Sequence, residues 1–219
     1  MSITEPILVF DLETQRDFQS VGGRAFIDEL KMSVGVVWDS KADKFFTYRE
    51  SAVEELITHL SSGSLVIGFN HLGFDFEVLS GYRKPAERED FLLNLKRLKN
   101  LDLMLDIRRR IGYNVSLDSL VSPTLNAQKT ADGLLALRWF REYQDTKDET
   151  LMEKIIHYCK QDVLLTRDLY LKGLKHQRVL HKSKTGELRA IEVDWKNYLR
   201  HEPTQEKAVE SQKAQLNLF

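Results

Sequence analysis

The chain has 219 residues and a formal net charge of −1, which suits one α/β domain with an appendage and argues against a protein that coats nucleic acid. Its 42% hydrophobic and 30% charged residues argue against a disordered or fibrous protein. The single cysteine, Cys159, rules out an intramolecular disulfide framework and a CxxC zinc site. No apolar run approaches the roughly 20 residues of a membrane-spanning helix, and the N-terminus does not resemble a secretory signal. We therefore expect a cytoplasmic protein without a membrane partner.

The first part of the chain predicts a β-rich half. Four short apolar runs are typical of strands: residues 7–10, 32–38, 44–48 and 65–69. The polar turn at 39–43 predicts that the second and third of these strands form a hairpin. Ser51 and Glu54 have the spacing of a capping box and predict the start of a helix. A second helix is expected from about 74 to 82.

The rest of the chain is predicted to be mostly helical. Apolar residues recur at helical spacing over four stretches: 103–111, 117–121, 134–140 and 149–174. A late hairpin is expected at about 178–195, after which the composition becomes polar and charged. The simplest division is one domain over residues 1–196, followed by a flexible tail over residues 197–219.

Four carboxylates stand where a purely structural acid would be costly. Asp11 and Glu13 follow an apolar strand and share one face, because strand side chains alternate. Asp75 begins a helix soon after the strand at 65–69, and Asp162 faces inward from the longest helix. Like charges on one face repel unless a cation neutralises them. Four converging carboxylates predict a site for two Mg²⁺ or Mn²⁺ ions, which can activate a water and stabilise the leaving oxygen of a phosphodiester.

The segments that carry these acids resemble the three motifs of the DEDD 3′–5′ exonuclease superfamily, in the right order. They are FDLET at 10–14, GFNHLGFD at 68–75 and YCKQD at 158–162. The resemblance covers residues 6 to 175 and is closest to bacterial YprB-type and predicted polymerase-B-like exonuclease domains. It implies an α/β, RNase H-like mixed β-sheet flanked by helices, and hydrolysis that releases nucleoside 5′-monophosphates.

The resemblance also implies roles for individual residues. The metal ligands would be the four carboxylates: Asp11, Glu13, Asp75 and Asp162. Leu12 and Thr14 would contact the terminal nucleotide, and Asn70 would place the nucleic-acid end or orient the second motif. Phe74 is a candidate for stacking on a base, with core packing as the alternative. Phosphate contacts are expected from basic residues that continue the helix bearing Asp162, with a solvated face as the alternative: Lys172, Lys175 and Arg178.

The superfamily has two branches, which differ in the general base. One branch has a tyrosine four residues before the last aspartate, and the other has a histidine five before it; this chain has both, as Tyr158 and His157. In a continuous helix, positions four apart differ by about 40° around the axis and positions five apart by about 140°. We therefore expect the tyrosine (DEDDy) branch, with Tyr158 holding the attacking water on the face of Asp162. A contribution from His157 stays open.

The last five residues, QLNLF, resemble the bacterial sliding-clamp-binding peptide, with Asn217 as the one departure in its variable third place. The residues that would contact the clamp are Gln215, Leu216, Leu218 and Phe219. Packing of this end on the domain is the alternative. A clamp partner would tether the chain to DNA, which favours DNA over RNA as the substrate and a bacterial, nucleoid-associated location.

Together these observations predict a metal-dependent 3′–5′ exonuclease that acts on single-stranded DNA 3′ ends in repair or replication. Two alternatives remain at this point. One is an RNA 3′–5′ exonuclease, which would gain if the tail were structural. The other is a non-catalytic adaptor that binds the clamp and only grips DNA ends. The segment from Lys129 to Leu134 has no assigned role.

Overall fold

The computed structural model describes residues 6–127, 133–183 and 185–200. The strands in these ranges are β1 (Ile7–Thr14), β2 (Met32–Asp39), β3 (Lys44–Arg49), β4 (Leu65–Gly68), β5 (Asn100–Asp102), β6 (Arg178–Lys182) and β7 (Leu188–Glu192). The α-helices are α1 (Val53–Ser61), α2 (Asp75–Ser80), α3 (Arg88–Arg97), α4 (Leu103–Ile111), α5 (Leu117–Leu125), α6 (Gly133–Thr146), α7 (Glu149–His176) and α8 (Asn197–Arg200). None of these helices is long and apolar enough to span a membrane.

Five strands form a mixed sheet in the order β3-β2-β1-β4-β5. The central strand β1 pairs antiparallel with β2 and parallel with β4, and β4 pairs parallel with β5. Helices flank the sheet, so the predicted α/β, RNase H-like fold class is confirmed. The hairpin predicted from the turn at 39–43 is present as β2 and β3.

The two faces of the sheet bury separate apolar cores, because the side chains of β1 alternate between them. Ile7 and Val9 lie in one core together with residues of α4, α5 and α7. Leu8, Phe10 and Leu12 lie in the other core, against residues of α1 and α2. The same alternation directs the odd-numbered acids of β1 to the α7 side of the sheet.

Helix α7 is the long helix expected from the apolar spacing, and it is continuous over 28 residues. The Asp148 side chain caps its start by accepting a hydrogen bond from the Thr150 N–H. The β6–β7 hairpin follows α7 and lies within the region predicted for a late hairpin. Behind it, the buried Trp195 ring packs on Gly173, where a Cβ atom would come within 2.1 Å of the ring. The small residue therefore allows the chain after β7 to pack closely on α7.

Some local predictions were wrong. The capping box is absent: Ser51 lies in a 3₁₀ turn, and α1 begins at Val53 with no side-chain cap. The Glu54 carboxylate instead pairs with Arg83, so it does not turn back to the helix start. Strand β1 extends beyond residue 10, which places Asp11 and Glu13 within the strand rather than after it.

Three of the strands and α-helices named above were not predicted: α3, β5 and α8, the last of which lies where the sequence predicted the start of the tail. Helix α3 buries only Leu95 fully and has little apolar periodicity, and β5 is only three residues long.

Candidate metal centre

The carboxyl-terminal half of β1 presents two acids on the face that α7 covers. Asp11 lies opposite Val36 of β2 and Glu13 lies opposite Val34, which places both acids in one row with Val9. Both side chains are half-buried. An apolar row of the sheet therefore becomes acidic at the end of the strand.

Helix α7 meets this row at Cys159. Its thiol donates a hydrogen bond to the Asp11 carbonyl at 3.3 Å, and its Sγ lies 3.8 Å from Asp11 Oδ2. Asp162 follows one turn later on the helix and is only 6% exposed. The packing of α7 on β1 thus brings the third sequence motif to the first.

Asp75, the first residue of α2, is bound to the same strand. Its Oδ1 accepts a hydrogen bond from the Leu12 N–H at 3.1 Å, and the residue is 2% exposed. Because Leu12 lies between Asp11 and Glu13, this bond fixes the second motif beside the first. The backbone of β1 is therefore the common anchor of the site.

The pKa of the Cys159 thiol reflects both its burial and the acids near it. Burial raises this pKa well above its usual value, and four carboxylates add to the rise: Asp11, Glu13, Asp162 and Asp75. The thiol therefore stays protonated and acts as a hydrogen-bond donor. Of the four predicted acids, Asp11 and Glu13 lie closest to this thiol, within the 4.8 Å that also joins one oxygen of each.

Tyr158 and His157 lie on different sides of α7. Tyr158 is buried and is one helical turn before Asp162, on the same face. His157 is exposed. The continuous helix therefore places the tyrosine, and not the histidine, on the side of the carboxylates.

The comparison with known families agrees with this architecture. Residues 8–172 match the sequence model of the RNase H superfamily. The chain belongs to the RNase H superfamily. No curated protein matches it.

Among solved structures, the chain is similar to a family B DNA polymerase from the hyperthermophilic archaeon Pyrobaculum calidifontis, with a TM-score of 0.54 and 17% identity. The match covers 78% of this chain and 24% of the polymerase, so the chain spans about a quarter of that protein. Identity at this level shows a shared fold alone.

The donor atoms of the site fit the divalent ions that RNase H-like nucleases use. One ligand atom each from Asp11, Glu13 and Cys159 lie within 4.8 Å of one another. A protonated thiol is a poor ligand, which leaves carboxylate oxygens as the donors, and these prefer hard ions such as Mg²⁺ or Mn²⁺. Asp75 also fits a cation nearby, because burial, with a smaller contribution from Asp102, raises the pKa of its carboxyl to about 7.

The other predicted residues of this superfamily member fall into two groups. Three are near the acids in sequence: Thr14 Oγ1 donates to the Arg16 carbonyl at 2.9 Å, Asn70 begins the turn that leads to Asp75, and Phe74 packs edge-on against Phe18. The basic group is exposed and begins ten residues beyond Asp162, about 15 Å along the axis of α7. Its members are Lys172, Lys175 and Arg178, and the structure does not bring them to the carboxylates. The predicted clamp peptide lies outside the described residues.

Two residues of the site were not singled out from the sequence. Cys159 entered the sequence analysis only through the absence of a disulfide and of a CxxC zinc site, although its spacing of three from Asp162 is typical of neighbours on one helix face. Asp102 was not considered, although an aspartate just before a predicted helix is a signal for an N-cap. The sequence spacing does not predict its contacts with the turn before Asp75.

The raised pKa of Asp75 predicts how pH affects the metal-free protein. In the unfolded chain a carboxyl titrates near pH 4, whereas burial holds the pKa of folded Asp75 near 7. Its contribution to stability is therefore complete below about pH 4 and is lost as the pH rises through 7. In EDTA, the wild type should lose about 2–3 kcal/mol of unfolding free energy between pH 5 and 7 relative to Asp75→Asn.

Urea denaturation of both proteins across this pH range measures the difference. The exposed Asp90→Asn serves as the control and should follow the wild type. Mg²⁺ at pH 8 should stabilise the wild type more than Asp75→Asn. Parallel pH profiles for the wild type and Asp75→Asn would contradict the assignment.

Proposed function

We propose that the chain is a metal-dependent 3′–5′ exonuclease that hydrolyses single-stranded DNA 3′ ends to nucleoside 5′-monophosphates. The observation that carries this proposal is that Cys159 of α7 and the Asp75 carboxylate both hydrogen-bond to β1, at Asp11 and Leu12, with Tyr158 one turn from Asp162. Membership of the RNase H superfamily supports a nuclease. The order of the three motifs supports the 3′–5′ polarity.

The four carboxylates would hold two divalent ions, Mg²⁺ or Mn²⁺: Asp11, Glu13, Asp75 and Asp162. When bound, such ions activate a water and stabilise the leaving oxygen of the phosphodiester. The Leu12 N–H is already bound to Asp75, and the Leu12 side chain lies in the opposite core. Contacts of β1 with the terminal nucleotide would therefore use its carbonyl groups and Thr14.

Tyr158 would position the attacking water. A phenol hydroxyl both donates and accepts hydrogen bonds, so it can orient a water without removing its proton. Its ring belongs to the core on the α7 side of the sheet, which fixes the direction of the hydroxyl. Phe74, beside Asp75, would lie against the terminal base.

The preference for DNA rests on the peptide at 215–219. Two leucines and a phenylalanine after a polar segment would enter an apolar groove of the bacterial sliding clamp, and Gln215 would add hydrogen bonds. Tethering raises the effective concentration of a nuclease that binds DNA weakly, as expected at a net charge of −1. The proposal includes a nucleoid-associated location for the same reason.

A time course on matched 5′-labelled single-stranded DNA and RNA, with Mg²⁺ or Mn²⁺, tests the proposed activity. The wild type should shorten DNA from its 3′ end, whereas Asp11→Ala should retain less than about a tenth of the rate because the metal site loses a carboxylate. The exposed Glu89→Ala is the control for a lost surface acid. Faster cleavage of RNA would support the RNA exonuclease instead. No cleavage with either metal would support the non-catalytic adaptor.

The pair Tyr158→Phe and His157→Ala tests the role of the tyrosine. Removal of the Tyr158 hydroxyl should slow hydrolysis by about 100-fold or more, because a group that orients the nucleophile is lost while its ring remains in the core. His157→Ala, on the exposed face, should stay within a factor of about three of the wild type. Single-turnover rates on the preferred oligonucleotide measure both variants. The reverse order of effects would place the chain in the histidine branch.

Removal of residues 215–219 tests the clamp peptide. The shortened chain should lose binding to a bacterial sliding clamp, measured by surface plasmon resonance, because its apolar anchors are gone. Hydrolysis of free oligonucleotides should not change. A chain with Lys213→Ala, just before the peptide, is the control and should keep its clamp affinity. Unchanged affinity of the shortened chain would refute the tail assignment.

A further inference from the structure

Another buried carboxylate, Asp102, lies at the end of β5 and binds the turn that leads to Asp75. Its Oδ1 accepts hydrogen bonds from the Asn70 N–H at 2.9 Å and from the Leu105 N–H at 3.1 Å. Its Oδ2 accepts one from the Leu72 N–H at 3.1 Å. One side chain therefore caps α4 and also fixes the turn after β4.

The turn begins with a left-handed residue. Asn70 has a φ of 70°, in the region that asparagine adopts more readily than other residues with a side chain. The Gly73 N–H donates to the Asn70 carbonyl at 3.2 Å, which closes the turn two residues before Asp75. The bonds from Asp102 hold the backbone on both sides of this position.

The His71 side chain packs beneath the turn and anchors it in the core. The ring is fully buried and packs edge-on against Phe10 and Phe76, with Nε2 3.1 Å from Asn100 Oδ1. Burial lowers the pKa of His71, so the ring is neutral near pH 7 and its contact with Asp102 is not an ion pair. On the opposite side, a Cβ atom on Gly68 would come within 2.8 Å of this ring.

A short chain of hydrogen bonds connects the turn to the metal centre. The Phe76 N–H donates to the His71 carbonyl at 3.0 Å, which fixes the first turn of α2 on the residues that Asp102 holds. Asp75 Oδ1 in turn accepts from the Leu12 N–H at 3.1 Å. The position of the Asp75 carboxylate is therefore set from two sides, by β1 and by the turn.

We infer that Asp102 is a positioning residue for the metal centre: by fixing the turn at 70–73 it places Asp75 for binding a divalent cation. The inference rests on the proposed role of Asp75 as a metal ligand. Groups that orient metal ligands typically change metal affinity or activity by about 10- to 100-fold when they are mutated. A residue that only capped α4 would change stability without changing either quantity.

Asp102→Ser separates these two roles. Serine is a good N-cap, so its short side chain keeps the bond to the Leu105 N–H but does not reach the amides of the turn. The matched control is Asp106→Asn, one turn further along α4. Asp106 is also buried, but it binds the Trp195 indole and Arg110, on the side of the hairpin.

Mn²⁺ binding, measured by the electron paramagnetic resonance signal of the free ion, is the first readout, and the hydrolysis rate is the second. Asp102→Ser should weaken Mn²⁺ binding and reduce kcat by about tenfold or more each, whereas Asp106→Asn should match the wild type in both. In a background of Asp75→Asn, the further change of Asp102→Ser should have no added effect on Mn²⁺ binding.

The result that overturns the inference is a Mn²⁺ affinity of Asp102→Ser equal to that of Asp106→Asn. If Asp102→Ser does not fold, Asp102→Asn, which keeps the shape and one acceptor, is judged by the same two readouts. A wild type that binds Mn²⁺ but cleaves no nucleic acid would refute the exonuclease and still test Asp102 by binding. A wild type that binds no Mn²⁺ would refute both proposals.

Discussion

The hydrogen bond from the Cys159 thiol to the Asp11 carbonyl joins residues 148 positions apart. The candidate site depends on the packing of helix α7 on strand β1, which this bond helps to hold. Helix α7 meets the central strand there, so the residues one turn along the helix come to lie beside the acids of β1. Burial keeps the thiol protonated, which means that the contact adds no negative charge to a place that already has four carboxylates. A small, neutral, polarisable group suits this position better than a charged one.

The alternation of β1 explains how one strand serves both the core and the site. Ile7 and Val9 face α7 within the apolar core, and Asp11 and Glu13 continue the same row toward the carboxyl end of the strand. The even-numbered residues remain apolar and anchor the strand in the opposite core. The packing of β1 on both faces thus offsets the repulsion between the two carboxylates.

The candidate site could be predicted from the sequence because its signals are local and periodic. Spacing of two within β1 and of four within α7 defines which side chains share a face, and this identified Glu13 and Tyr158 with their partners. Signals that depend on tertiary neighbours failed. The predicted capping box at Ser51 is absent, because Glu54 forms an ion pair with Arg83. The hydrogen bonds of Asp102 to the turn join residues 30 or more positions apart in the sequence. Helix α3, with one fully buried side chain, has too weak an apolar pattern to be seen.

The charges of the site would order the events that precede the proposed hydrolysis. Four carboxylates would repel the phosphates of a nucleic acid, and the basic residues predicted to bind phosphate, Lys172, Lys175 and Arg178, begin about 15 Å beyond Asp162. The chain as a whole has a net charge of −1 and offers little general attraction. In the proposed function, cations would therefore have to neutralise the acids before a phosphodiester approaches them. The same ions would then contribute to the binding of the nucleic acid as well as to its hydrolysis. Metal affinity, which depends on the position of Asp75, would therefore limit both steps.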